Sequence, residues 1–267
     1  MAQTLQMGVR RFGRINWLGL YTLASREVRR FLSVWTQTIL APLITAGLFL
    51  AVFALAIGPA RGAVMGVPFV QFLAPGILMM TVIQNAFANT SSSIMISKVQ
   101  GNIVDTLMPP LSPLELLTGY MAGPIGRGIV VATVIVTGMM LTIGAGVAHP
   151  HWLIAFVILG ATFLGGLGIV AAIVAQKFDH MAAITNFIIT PLAFLSGTFY
   201  SAQSLPPLMQ ALTHLNPVFY LIDGARFGMI GRSDSSPWTG LFVVGLTTAM
   251  VLLLCWHWFR RGYRLKA

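Results

Sequence analysis

SKVQGNIVDTLMPPLSPLE, residues 97–115, is a polar island enclosed by some of the most apolar sequence in the chain. If the flanking segments cross a bilayer, the island must sit in water on one side, with room for a short helix and a turn. Ser97 can cap that helix by accepting from a free backbone N–H. Pro109 and Pro110 stop it, because proline lacks the donor and disfavours helix in the residue before it. Ile103 and Leu107, four apart, share a helical face suited to filling a pocket. A short helix held between two spans can transmit a push; the alternative is a plain solvated loop.

The composition around the island sets the class. Of 267 residues, 57% are hydrophobic and 8% charged, against roughly 25% charged in soluble domains, and the mean hydropathy is +0.84. These values describe an integral membrane protein. The net charge of +10 does not indicate nucleic acid, because the basic residues bracket apolar segments instead of forming a basic face. A lone cysteine, Cys255, excludes an internal disulfide and is expected to pack as a thiol within a span.

Apolar segments at about 37–57, 71–96, 116–146, 153–175, 182–200 and 238–259 are read as six spanning helices, near the ~20 residues a bilayer requires. The fold expected is an all-α membrane protein with an N-terminal amphipathic interfacial helix and external re-entrant helices before the last span. Residues 1–36 form the tail and amphipathic helix, and residues 37–267 the six-helix domain. No small-residue cleavage site follows a short apolar core near the N-terminus, so no cleavable signal is expected. Placing the N-terminus inside puts Arg10, Arg11, Arg14, Arg26, Arg29, Arg30, Lys98, Lys177, Arg260, Arg261, Arg264 and Lys266 in the cytoplasm. Arg61, Arg226 and Arg232 fall outside, and the asymmetry orients both termini to the cytoplasm.

From Asn16 onward, Trp17, Leu20, Tyr21, Ala24, Val28, Phe31 and Trp35 recur at helical spacing, with Arg26, Arg29 and Arg30 on another face. This reads as a helix in the headgroup region, either a simple anchor or a docking element. Pro42, Pro75, Pro124 and Pro191 are expected to kink their spans. Gly119, Gly123, Gly126 and Gly128, then Gly160, Gly165, Gly166 and Gly168, permit close helix packing. Arg127 is carried one to two turns into the third span, where it either faces a wet pathway or snorkels to the headgroups.

Residues 194–231 are too polar and broken to span. Ser204 and Pro206 open a short helix with Leu205, Leu208, Met209, Leu212 and Leu215 as its apolar stripe, and Asn216 and Pro217 end it. A second short helix carries Asp223 and Arg226 at pairing distance. Such pieces read as re-entrant or interfacial helices on the outer side.

The island GNIVDTLMPPLSPLELLTGY, the preceding FLAPGILMM and the block FLSGTFYSAQSLPPLMQALTHLNPVFYLIDGARFGMIG together resemble ABC-2 type transporter permeases, in the YadH/NodJ-like branch. The resemblance covers nearly the whole chain. It implies a half-transporter in a bacterial inner membrane, pairing with a second copy of itself and with two copies of a cytoplasmic ABC ATPase. It further implies that the amphipathic helix is a connecting helix, that segment 97–115 is the coupling segment, and that residues 201–230 are the external re-entrant region. The ATPase-docking residues are then Arg26, Glu27, Arg29, Arg30, Lys98, Gly101, Asn102, Ile103, Asp105 and Leu107. Candidate path residues are Asn85, Arg127, Phe194, Phe199 and Tyr200, for an amphipathic, lipid-linked, glycan or drug-like cargo.

The chain carries no GxxxxGK phosphate loop, since none of its three lysines follows a glycine. ATP and Mg are therefore expected on the partner, and no cofactor, metal site or catalytic residue on this chain. An ion-coupled secondary transporter is the alternative function, but it would place titratable groups within its spans. The acidic residues here lie in loops or near span ends.

Overall fold

A computed structural model describes Gly13 and residues 15–264. Arg10, Arg11, Arg14 and Lys266, which contributed to the charge asymmetry, lie outside the described residues. Helix α1, Trp17–Ser33, is opened by Asn16, whose side chain accepts from the Gly19 N–H. A π-helical turn, Thr36–Leu40, leads into α2, Ala41–Ala56. The single turn α3, Gly58–Arg61, precedes an antiparallel hairpin of β1, Ala63–Val64, and β2, Val67–Pro68. Then follow α4, Phe69–Val99, α5, Ile103–Leu107, α6, Pro113–Ile143, and α7, Pro150–Val174. Helix α8, Phe178–Ile184, continues through a π-helical turn, Thr185–Ile189, into α9, Thr190–Phe194. The chain ends with α10, Pro207–Leu215, α11, Pro217–Ile230, and α12, Pro237–Arg261.

Among the described residues, five helical runs are long and apolar enough to cross a membrane: Thr36–Ala56, α4, α6, α7 and α12. The segment expected as another span at 182–200 differs. Its helical run covers Phe178–Phe194, and the chain leaves helical geometry before Gly197, whose φ of 74° no ordinary side chain adopts comfortably. Both π turns have the same cause. Pro42 and Pro191 lack the N–H that would continue the ladder, and the preceding residues bond five back instead, Ala41 N–H to Thr36 O and Thr190 N–H to Thr185 O. Pro75 and Pro124, by contrast, lie inside uninterrupted helices.

Helix α4 is the central element, packed against α7, α6 and α11. Its apolar window is 72% buried, whereas that of Thr36–Ala56 is 11% buried, so the latter is peripheral. Its exposed stripe of Ile44, Leu48, Val52 and Leu55 would be untenable in water and suits a lipid or protein neighbour. Small residues set the close contacts. A side chain at Gly165 would meet Pro124, and one at Gly168 would meet Thr90 and the Phe87 carbonyl. Cys255 is a buried free thiol lying 3.4 Å from the Gly166 carbonyl.

Helix α1 does not stand apart as a freely floating anchor. Leu23, Glu27 and Phe31 face Gly119, Gly123 and Gly126 in turn, so α1 runs beside α6 in the same direction along a glycine groove. The expected apolar face is divided: Phe31 packs inward, while Trp17, Tyr21 and Trp35 point outward.

Candidate functional site

Two elements meet at the end of the bundle that carries α5. The α4 helix runs on to Val99, so Ser97 donates to the Ser93 carbonyl within it instead of capping α5. Gly101, at φ 75°, makes the turn, and Asn102 precedes α5. Ser112 and Glu115 then form a reciprocal cap at the start of α6. The other Glu115 oxygen accepts from Asn16 N–H at 2.7 Å, fixing the start of α1 beside α6.

Across this joint Arg26 donates from Nη1 to Thr106 Oγ1 at 2.8 Å and from Nη2 to Glu27 Oε1 at 3.1 Å. Burial works against the Arg26 charge, but Tyr120 and the Glu27 carboxylate outweigh it and hold the guanidinium above its ordinary pKa. Arg30 bonds Glu27, Ser92 Oγ and the Asn89 carbonyl. Ser93 Oγ donates to Glu27 at 2.8 Å. A cleft of about 240 Å³ between α1 and α5 is lined by Arg26, Arg30, Asn102, Asp105 and Thr106.

This geometry sorts the expected docking residues. Arg26, Arg29, Gly101, Asn102 and Asp105 are exposed, Arg30 is half-buried, and all lie on or beside the two elements. Glu27 is fully buried and serves as the anchor of Arg26 and Arg30, so it offers no surface. Lys98 is also buried. Its Nζ donates to the carbonyls of Ala172, Ile173 and Ala175 at 2.8–3.0 Å, capping the end of α7 as a cation at a helix C-terminus should. Ile103 turns into the core and Leu107 packs half-buried against it. The apolar side chains facing outward from this short helix and its end are Val104 and Met108.

Asn85 and Arg127 are brought together, with Arg127 Nη2 donating to Asn85 Oδ1. Each sits near the middle of its 31-residue helix, and neighbouring Gly128 touches Ala161 near the middle of α7. Arg127 is therefore deeper than one to two turns, because α6 begins at Pro113 and runs about 21 Å before reaching it. No carboxylate pairs with it among the described residues. On α4, Asn85, Asn89, Ser92 and Ser93 lie on one face: Asn85 meets Arg127, while Ser92, Ser93 and the Asn89 carbonyl meet the Arg30–Glu27 group. Asn89 is fully buried, and both its side-chain polar atoms lack partners among the described residues.

The remaining path candidates lie elsewhere. Phe199 packs against Phe53, Phe194 and Phe49, with ring centroids 4.9–6.1 Å apart, and Tyr200 donates to the Leu195 carbonyl. Phe49 and Phe53 escaped the sequence reading because helical aromatics in an apolar run look the same whichever way they face.

At the opposite end, Asp223 and Arg226 do pair, at 3.4 Å, and a further carboxylate, Asp234, lies 3.6 Å from the same nitrogen. Asp223 also accepts from the Asp234 and Ser235 amides and Ser235 Oγ, while Arg226 donates to the Gly197 carbonyl. All three charged side chains are buried. The stripe Leu208, Met209, Leu212 and Leu215 of α10 is exposed, whereas α11 sinks among α4, α7 and α12, with Gly224 against Phe156 and Gly228 against Leu153.

Comparison with known proteins gives a consistent picture. The family model described as ABC-2 type transporter matches residues 19–230. The chain is 34% identical to the inner membrane transport permease YadH of Escherichia coli strain K12 over 252 residues, covering 94% of this chain and 98% of that protein. It is 25% identical to nodulation protein J of Neorhizobium galegae over 230 residues, covering 82% and 83%. With nodulation protein J of Rhizobium leguminosarum bv. viciae it shares 26% over 231 residues, covering 82% and 84%.

Proposed function

The chain belongs to the ABC-2 type transporter family, and from that premise we propose that it is the membrane-spanning subunit of an ATP-driven exporter in a bacterial inner membrane. Its cargo is amphipathic, lipid-linked, glycan or drug-like, and the energy comes from a separate ATPase that binds ATP and Mg. One observation carries the coupling part of this reading. The polar seam from Thr106 and Arg26 through Glu27, Arg30 and the Asn85–Ser93 face of α4 ends at Arg127. A displacement of α5 therefore reaches α4 through Arg26, Glu27 and Arg30, and the α4 helix itself carries it from Asn89 and Ser93 to Asn85 and Arg127. Val104, Met108, Asp105, Asn102, Arg26 and Arg29 form the docking face.

Phe178–Phe194, about 25 Å long at the helical rise, makes the sixth crossing, and the α10–α11 hairpin is the external re-entrant element. Two copies of the permease and two of the ATPase complete the transporter. The N- and C-terminal ends are cytoplasmic, supported by Arg26, Arg29, Lys98, Lys177, Arg260, Arg261 and Arg264 lying toward the α5 side.

The test is purification of the chain from its native membrane. A co-purifying polypeptide that hydrolyses ATP is expected, together with a tag near Gln203 that is reachable from outside intact cells. Absence of any ATPase, with ion-gradient-driven transport instead, would establish the secondary-transporter alternative.

A further inference from the structure

A second polar feature lies at the α5 end but outside the coupling seam. The last turn of α4, the end of α7, the start of α8 and the turn after α12 enclose a cavity of about 640 Å³, lined by Lys98, Lys177, Arg264, Gln176, Val99 and Phe178 among others. Three lining side chains are cationic and none is a carboxylate; Asp179, two residues from Lys177, is not part of the lining. Lys98 spends its donors on the α7 carbonyls, yet its charge remains at the cavity floor. Lys177 and Arg264 are exposed and form no ion pair among the described residues. Converging positive charge with no counter-ion among the described residues attracts an anion from outside.

The surroundings specify the kind of anion. Val99 and Phe178 are exposed at the cavity. Trp256 and Trp258 lie in the last turns of α12 beside Arg260 and Arg261, the arrangement of a bilayer border. The binding group must therefore be anionic and its attachment apolar.

We propose that this cavity binds the phosphate headgroup of an anionic phospholipid, with Lys177 and Arg264 contacting the phosphate and Lys98 supplying fixed charge beneath it. The leaflet is the cytoplasmic one in the orientation proposed above, on which this placement rests. Binding itself does not depend on export or on the ATPase.

The test uses the full chain, delipidated in detergent and titrated with phosphatidylglycerol, phosphatidylcholine or inorganic phosphate under native mass spectrometry. Phosphatidylglycerol should be retained, phosphatidylcholine should not, and inorganic phosphate should not displace the lipid. Lys177→Gln with Arg264→Gln should weaken phosphatidylglycerol retention by roughly tenfold or more. Arg261→Gln removes the same kind of charge nearby but outside the lining and should leave retention unchanged. Equal retention by the double variant would overturn the site. Displacement by inorganic phosphate at comparable concentration would overturn the lipid assignment. A failed orientation test with retained lipid would instead move the site to the other leaflet.

Discussion

Arg226 and Arg127 are both arginines embedded in apolar sequence, and the protein treats them in opposite ways. Arg226 is fully buried between Asp223 and Asp234, with its guanidinium 4.4 Å over the Phe72 ring and a further bond to the Gly197 carbonyl. It ties α11, the loop after α9 and the approach to α12 into one body. Arg127 is half-buried, and its guanidinium donates to the neutral amide of Asn85. A charge compensated within the fold is a fastening, whereas one left with a neutral partner can still respond to what passes by it.

The largest expected effect tests the fastening. Arg226→Leu would leave Asp223 and Asp234 buried without their cation, at a cost of about 3–5 kcal/mol. It should appear as a collapse in folded yield and Tm; wild-type stability would mean that the cluster is incidental. Lys98 belongs with Arg226 despite its position in the segment proposed to couple to the ATPase. Lys98→Met removes the donors from the α7 carbonyls and should cost about 1–3 kcal/mol, read as a lower Tm in lipid, while an unchanged Tm would return Lys98 to the surface role.

Arg127→Leu should behave differently from both. It is expected to leave Tm near wild type while lowering transport by roughly tenfold, about 1.4 kcal/mol in rate. Full transport at equal expression would remove Arg127 from the path, and a Tm loss as large as that of Arg226→Leu would erase the contrast. The smallest effect is expected from Thr106→Val, which deletes the bond from Arg26 to α5 and should cost about 1 kcal/mol. Its mark is reduced substrate-stimulated ATP hydrolysis with the ATPase still bound; unaltered stimulation would show that the seam carries no displacement.

Much of this arrangement was legible beforehand, for identifiable reasons. Of the six spans expected, five recur as long apolar helices; Asp223 and Arg226 stood out by their three-residue spacing, and the glycines of the third span as a close-packing cluster. What escaped depended on partners distant in sequence. Nothing local in SKVQG shows that Lys98 turns back to cap α7, because its acceptors lie 74 to 77 residues away. Glu27 was expected among the ATPase-docking residues, but Gly123 lets it approach α4 and bond Ser93. Ile103 and Leu107 were rightly placed on one face, but the pattern of a five-residue helix could not say which face turns inward. The segment at 182–200 was overextended because Leu195–Tyr200 is apolar enough to continue a span, while Gly197 and the side-chain contacts of Ser196 and Thr198 with preceding carbonyls end it.

The most direct test of the account is the exposed apolar pair at the α5 end. Met108, 75% exposed, lies on the face proposed to dock the ATPase, where Met108→Asp would put a charge into a desolvated contact. The measurement is the amount of ATPase that co-purifies with the folded permease from membranes. The account predicts loss of most of the bound ATPase with no change in permease Tm. Undiminished ATPase binding, together with undiminished transport, would contradict it and leave α5 without a docking role.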